Sequence, residues 1–366
     1  MKKILFTCGG TGGHIYPAIA IASEIKKHHP DAQILFIGTK QGMENRLVPA
    51  AGFAIKGIDA SGIDRRSLVK NIRTVKNVIS GSRQAAKIID EFAPDAAVGT
   101  GGYVTGTVIR AAHKQGIPCY IHEQNAIPGL TNKLLQGYAK KLFVSFEESK
   151  QYFKHPEKLV LTGNPIRAQF SDLQEASCRA QLHLSENEVL ILLFGGSLGA
   201  EVLNNACLKL MEQLPEEGVR LIFVTGKRYY EEISARVSTL GLNKPSVTLL
   251  DYADNMPELM KASDIVISRA GAIAVSEILA CGKPSVLVPS PNVTNNHQYH
   301  NAKAIADRGA ALLIEEKDMI GNYGLFADKV LKLASSPDDR QEMARNALRI
   351  AITDAAEKIY QGMDLS

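Results

Sequence analysis

The chain contains no tryptophan, and aromatic residues make up only 6% of it. It carries no base-reading motif, and its net charge is only +4. Nucleic acid is therefore not expected as a partner. The five cysteines, Cys8, Cys119, Cys178, Cys207 and Cys281, stand singly with no C-x-x-C spacing. That excludes a zinc knuckle and a disulfide framework, and it points to the reducing cytoplasm. No run of about 18 apolar residues exists, so no membrane-spanning helix is expected. The start, MKKILFTC, opens like a secretory signal, but Gly9 and Gly10 end its apolar run too early. No glycine run leads into G-K-[ST], which excludes a Walker A loop. The first glycine turn lacks G-x-G-x-x-G spacing, and Thr39 and Lys40 stand where an acid would close the second strand. A plain dinucleotide site is excluded on both counts. No paired carboxylates of the D-x-D kind lie near the second glycine turn, so neither metal nor cofactor is expected.

What is present is one device used twice. An apolar strand runs into a glycine turn that opens a helix, first in KKILFTCGGTGGH (turn at residues 9–13) and again in VLILLFGGSLGAEVLN (turn at residues 195–199). Such turns bring backbone N–H groups close to an anion, and the helix start adds positive potential. Two of them suggest two nucleotide-binding-type domains facing phosphate-rich substrates. Short apolar strands recur at 3–7, 33–37, 96–98, 118–121 and 142–145, then at 189–194, 220–224, 247–250, 265–268, 285–288 and 311–314. Amphipathic stretches separate them. Continuous apolar strands between helices predict parallel sheets covered on both faces. The expected division is residues 1–163 and 164–344, with a helical tail of about 345–366 packing back on the first domain.

Charge divides the same way. Residues 1–165 hold 22 Lys and Arg against 12 Asp and Glu, whereas residues 166–366 hold 20 against 26. The two halves therefore meet different partners. The stretch 64–87 carries Arg65, Arg66, Lys70, Arg73, Lys76, Arg83 and Lys87 against one acid, Asp64, with Leu68, Ile72, Val75 and Ile79 at helical spacing. That pattern suits a helix adsorbed on an anionic membrane, with Lys140 and Lys141 adding to it. A solvated helix with its stripe on the core is the alternative.

Ligands of open α/β sheets sit beyond the carboxyl ends of the strands. The turns there are informative: GTGGYVTG (99–106), HEQN (122–125) and SRAGAIAVSE (268–277). His14 ends the first turn, where an imidazole can take a proton near neutral pH. A packed or capping histidine is the other reading. Ser197 and nearby N–H groups suit a diphosphate. Glu277 suits a ribose diol, or else simply the positive end of a helix.

GGTGGH, GTGGYVTG, HEQN followed by PGLTNK, GNPIR, GGSLGA, and RAGAIAVSE with a later HQYHNA occur in this order. The set resembles the MurG family of glycosyltransferases over essentially the whole chain. The resemblance implies an α/β fold of the GT-B architecture: two Rossmann-like domains with parallel sheets around a central cleft. It implies an inverting transfer of N-acetylglucosamine from UDP-GlcNAc to the C4 hydroxyl of undecaprenyl-pyrophosphoryl-MurNAc-pentapeptide, lipid I, giving lipid II for peptidoglycan. The second domain would hold the donor. The first would meet the acceptor at the cytoplasmic face of the cell membrane as a peripheral protein, through Arg65, Arg66, Lys70, Arg73, Lys76 and Lys140. Other cell-wall enzymes are implied as possible partners.

Matched motif by motif, the resemblance makes His14 the catalytic base, with Glu123 as second candidate. Thr11, Gly12 and Gly13 would lie near the sugar and diphosphate, and Asn125 at the transferred sugar. Arg167 and Ser197 would contact the nucleotide or its phosphates, and Ala253 the uracil. Ala272, Ile273 and Ala274 would follow the phosphates, Glu277 would hold the ribose, and Gln298 would reach the GlcNAc hydroxyls. Leu198 and Ala274 depart from the polar residues frequent in the family. Three other readings stay open: a UDP-GlcNAc 2-epimerase, a lipid glucosyltransferase, and a non-catalytic UDP-sugar-binding scaffold.

Overall fold

The computed structural model describes residues 1–60, 68–167, 169–196 and 198–365, with side chains for all of these except 68–78, 171 and 172. It forms two compact units, Met1–Arg167 together with Ile352–Ser366, and Ala168–Ala351.

The first unit holds seven parallel strands: β1 (Lys3–Cys8), β2 (Gln33–Thr39), β3 (Ala54–Ile58), β4 (Ala96–Gly101), β5 (Cys119–Glu123), β6 (Lys141–Val144) and β7 (Leu159–Leu161), in the order β3-β2-β1-β4-β5-β6-β7. The second holds six: β8 (Val189–Phe194), β9 (Val219–Val224), β10 (Val247–Leu250), β11 (Ile265–Ser268), β12 (Ser285–Leu287) and β13 (Ala311–Leu313), in the order β10-β9-β8-β11-β12-β13, again all parallel. Both are doubly wound sheets of the Rossmann order. The order reverses between β1 and β4 in one sheet and between β8 and β11 in the other, which is where such folds place ligands.

Strand alternation divides the core of the first unit. Ile4 and Phe6 join Ile15, Ile21 and Ile25 of the helix Gly12–His28 on one face. Leu5 joins Val104, Val108 and Ile109 of the helix Tyr103–Lys114 on the other. Ile4, Leu5 and Phe6 are fully buried, each contributing about 2 kcal/mol of apolar burial. The first face also takes Ile359 from the helix Ala355–Gly362 and Met363 just after it. Tyr120 donates to the Met363 carbonyl at 2.5 Å, and Lys141 pairs with Asp364 at 2.9 Å. The tail thus returns to the first unit from Ile352, while the helix Pro337–Ile350 stays with the second.

The basic helix runs over Leu68–Phe92. Following β3, it starts at the carboxyl edge of the parallel sheet, and it descends to the amino edge to feed β4. Lys70, Arg73 and Lys76 lie in its first half, and Arg65 and Arg66 lie outside the described residues. Lys140 directly precedes β6, its N–H bonded to the Cys119 carbonyl at 2.7 Å, so it stands at the amino edge. From Lys76 to the end of the helix is about 24 Å at 1.5 Å per residue. The expected grouping of Lys140 with the helix therefore does not form, because the parallel topology sends them to opposite ends of the sheet.

Candidate active site

In the first unit the chemistry collects beyond β1, β4 and β5. The helix after β1 starts behind Thr11, whose side chain makes no capping bond, and no acid lies in its first turn. Its leading N–H groups therefore remain available to an anion or a sugar oxygen. His14 lies on that first turn. Its Nδ1 is 3.0 Å from the Gly9 carbonyl. A carbonyl only accepts, so Nδ1 carries the proton and neutral His14 keeps its lone pair on Nε2. Thr100 donates to the His14 carbonyl at 2.7 Å, tying the β4 end to this turn. The ring lies over Gly101, where a methyl group would come within 2.7 Å of Cδ2 and 2.9 Å of Nε2. At Gly102 it would meet the Gly9 carbonyl oxygen at 2.5 Å. Only bare backbone lets the β4 turn close on the β1 turn. Cys8, just before the turn, is no nucleophile, since burial and then the Glu44 charge push its thiol well above the usual range.

Glu123 ends β5 and is 1% exposed. Its Oε1 accepts from the Asn125 N–H (2.9 Å) and the Asn125 side-chain amide (3.2 Å). Its Oε2 accepts from the Gly129 N–H (3.0 Å) and the Asn132 amide (2.8 Å). Both oxygens are thus taken up by the loop that presents Asn125. Glu123 thereby fixes the position of Asn125. Beneath it lies His122, fully buried, with Nε2 3.1 Å from the Gly163 carbonyl and Nδ1 3.0 Å from the Gln124 amide. Burial lowers its pKa from 6.5 to about 4, so it is a neutral strut. Ser145 donates to Asn164, and Asn164 donates to the Gln124 carbonyl. HEQN and GNPIR are therefore one buried polar network. Arg167 closes this unit.

In the second unit Ala253, Ala272, Ile273, Ala274, Glu277 and Gln298 all follow the carboxyl ends of β10, β11 and β12. The turns after β8 and β9 touch, and a methyl at Gly226 would come 2.6 Å from the Gly199 Cα. Ser197 lies outside the described residues. Leu198 is 81% exposed beside it. The helix Glu201–Gln213 that follows carries an acid in its first turn, whereas the helix Ala272–Ala280 after β11 has no side-chain cap and no acid there. A helix start of that kind favours an anion. Arg269 supplies no charge to that site. It forms a buried ion pair with Glu316 and donates to the Val288 carbonyl at 3.2 Å, fastening the β11 turn to the end of β12. Glu277 sits in the second helical turn and is 5% exposed, so it is not an acid favoured by the helix start. Ala253 is buried in the turn after β10, beside Tyr252, whose ring lies under Lys227 of the β9 turn at 5.2 Å. Gln298 opens the helix His297–Ala306 and accepts from the Ser290 N–H at 2.9 Å.

One residue at the first edge escapes a reading of motifs. Glu44, from the helix Glu44–Ala50 after β2, is fully buried. It reaches back to the Thr39 N–H (2.8 Å), the Thr39 hydroxyl (2.7 Å) and the Gly10 N–H (3.4 Å). A search for an acid at the strand end passes over it, because it enters from five residues further on. The signal in the sequence is the pair Gly38 and Gly42, where a side chain would collide with the Glu44 side chain.

Two doubly wound parallel domains, each with helix starts at the point where strand order reverses, are the architecture of the GT-B class. Residues 4–144 match the glycosyltransferase family 28 N-terminal domain, and residues 190–359 match the glycosyltransferase family 28 C-terminal domain. The chain belongs to glycosyltransferase family 28. It is 44% identical over 360 residues, 98% of each chain, to the UDP-N-acetylglucosamine--N-acetylmuramyl-(pentapeptide) pyrophosphoryl-undecaprenol N-acetylglucosamine transferase of Thermoanaerobacter sp. (strain X514). It is 41% identical to the enzyme of the same name from Acetivibrio thermocellus, over 98% of this chain and 96% of that one. Among solved structures, MurG of Acinetobacter baumannii superposes with a TM-score of 0.80 at 27% identity, with both chains covered completely. A UDP-GlcNAc 2-epimerase from Neisseria meningitidis shares the fold at a TM-score of 0.69 and 18% identity, over 99% of each chain.

Proposed function

We propose that the protein transfers N-acetylglucosamine from UDP-GlcNAc to the C4 hydroxyl of undecaprenyl-pyrophosphoryl-MurNAc-pentapeptide, making lipid II from lipid I. The observation that carries this reading is the 44% identity to an enzyme of that name along 98% of both chains. The second domain takes the donor. The N–H groups of Ala272, Ile273 and Ala274, with Ser197, bind the diphosphate, and Arg167, the last residue of the first unit, is a further contact for the nucleotide or its phosphates. Ala253 borders the uracil, Glu277 accepts from the ribose hydroxyls, and Gln298 meets the sugar. The first domain takes the acceptor. Thr11, Gly12 and Gly13 offer backbone donors, Asn125 is aimed by Glu123 at the transferred sugar, and His14 is the base.

The step is a single displacement. The proton of the acceptor C4 hydroxyl passes to His14 Nε2 as its oxygen attacks C1 of GlcNAc from the face opposite UDP. The C1–oxygen bond to the β-phosphate breaks, and its electron pair leaves on UDP. Backbone N–H groups absorb that charge without a metal. The chain is peripheral, held on anionic lipid by the first half of the helix Leu68–Phe92 and by Arg65 and Arg66 before it.

The test uses radiolabelled UDP-GlcNAc and a lipid I analogue, scoring label in the lipid-extractable product. His14→Ala is expected to lose at least about 100-fold in turnover while binding UDP-GlcNAc normally, the upper part of the range for general-base loss. Near-normal turnover by that variant removes His14 from the mechanism.

A further inference from the structure

Glu44 and His14 grip the same peptide group from opposite sides. The peptide joining Gly9 to Gly10 offers its carbonyl to His14 Nδ1 at 3.0 Å and its N–H to Glu44 Oε2 at 3.4 Å. In a trans peptide these two groups point in opposite directions, so the unit lies between carboxylate and imidazole as a dipole aligned with both. We infer that Glu44 is the positioning residue for His14, acting through this peptide as a carboxylate acts on histidine directly in a hydrolase triad. The inference rests on the reading of His14 as the base.

Three features of the structure give Glu44 this role. Hydrogen bonds in series polarise one another: an anion on the N–H makes the carbonyl on the same peptide a stronger acceptor. A stronger acceptor on Nδ1 holds the ring in the tautomer with the free electron pair on Nε2 and favours the imidazolium that forms when Nε2 takes a proton. No proton crosses the peptide, and the carboxylate acts through the dipole alone. Secondly, Glu44 is held rigidly. Its other oxygen is fixed by two donors on Thr39, and the bare backbones of Gly38 and Gly42 leave room for it. Thirdly, the carbonyl is itself fenced by Gly102, whose lack of a side chain lets the β4 turn come against it.

Among the described residues of the first unit, the elements packed on the helix of His14 bring few other titratable groups. Of the elements packed on its helix, β4 carries no titratable side chain. β1 brings Cys8, a protonated thiol, and Lys3 at its far end. The helix Glu44–Ala50 brings Glu44 itself and the exposed Arg46. Glu357, Lys358 and Tyr360 of the helix Ala355–Gly362 lie at the opposite end, where Glu357 meets His28 at 2.6 Å. That end is about 21 Å away along the helix. Tyr16, on the same helix, is partly exposed.

The experiment is a pH profile of kcat/KM for transfer by wild type, Glu44→Gln and His14→Ala, with UDP-GlcNAc binding as the control for folding. Wild type loses activity at low pH as Nε2 is protonated. Glu44→Gln removes the charge and nearly keeps the shape. Its acidic limb is expected to move to lower pH by about 0.5–1 unit and its plateau to fall about 10-fold, with the KM for UDP-GlcNAc unchanged. A plateau that falls while the acidic limb stays in place marks a merely structural role and overturns the inference, and so does wild-type behaviour of Glu44→Gln. Normal turnover by His14→Ala overturns instead the reading of His14 as the base. Should Glu44→Gln fail to fold, the tautomer of His14 in the wild-type protein decides, from long-range proton–nitrogen spectra. The Nδ1–H form is expected, and a dominant Nε2–H form overturns the inference.

Discussion

His122 makes the stability of the first domain depend on pH in a way that can be worked out in advance. The ring is fully buried and takes part in bonds that suit only the neutral form, with Nε2–H toward the Gly163 carbonyl and Nδ1 accepting from Gln124. Its pKa falls from 6.5 to about 4, mainly through burial. Above pH 6.5 both folded and unfolded chains carry a neutral ring, and His122 has no effect on the balance. Between pH 6.5 and 4 the unfolded chain binds a proton that the folded chain refuses, so stability falls as pH falls. Below pH 4 both states are protonated and the loss levels off. At about 1.4 kcal/mol per pH unit, the gap amounts to about 3 kcal/mol, a large share of the 5–15 kcal/mol that holds a typical domain together. Urea unfolding followed by far-UV circular dichroism at a series of pH values measures it, and suits a chain with no tryptophan. His122→Gln, which has no titrating ring, should lose about 3 kcal/mol less than wild type over the same interval. Equal slopes for the two proteins would refute the argument.

Three further outcomes follow from the geometry. Gly101→Ala places a methyl 2.7 Å from the His14 ring at a backbone φ of +121°. It should cut turnover by about 100-fold while UDP binding, measured by calorimetry, stays intact, since displacing a catalytic group by about 1 Å costs that much. Arg269→Met strands Glu316 in the second domain and should cost about 3–5 kcal/mol in thermal unfolding, with the double change Arg269→Met, Glu316→Leu recovering much of it. Neutralising Lys70, Arg73 and Lys76 together by glutamine should weaken adsorption to vesicles containing anionic lipid on the order of 100-fold, at about 1 kcal/mol per residue. Lys140→Glu should leave adsorption unchanged, since Lys140 opens β6 at the far edge of the sheet.

The central strands of both sheets are legible in the sequence because both of their faces are buried. Runs such as ILF in β1 and LILLF in β8 have no polar side to blur them. The strands that escape, β3 and β7, are the two edges of the first sheet. Lys56 and Gly57 interrupt β3, a largely exposed strand, and β7 is a run of only three apolar residues, partly covered. The glycine turns are readable because the close approach of backbone to backbone leaves no substitute for glycine at Gly102 or Gly226. What the sequence hides is which side chains spend their charge inside the protein. The four donors around Glu123 and the ion pair of Arg269 with Glu316 leave no mark in the sequence. Glu44 is hard to see for the converse reason, since its partners are two backbone N–H groups and the Thr39 hydroxyl, and only Gly38 and Gly42 hint at it. Lys140 and the basic helix show a different failure: nearness in composition says nothing about which end of a parallel sheet a residue occupies.

The claim that the two domains serve donor and acceptor of one transfer is tested most directly by UDP release from UDP-GlcNAc, followed with and without a lipid I analogue. UDP release is expected to depend on the acceptor and to be matched one for one by a β1→4-linked disaccharide on the lipid. UDP release or sugar epimerisation at the same rate without acceptor, or no release in either case, would contradict it.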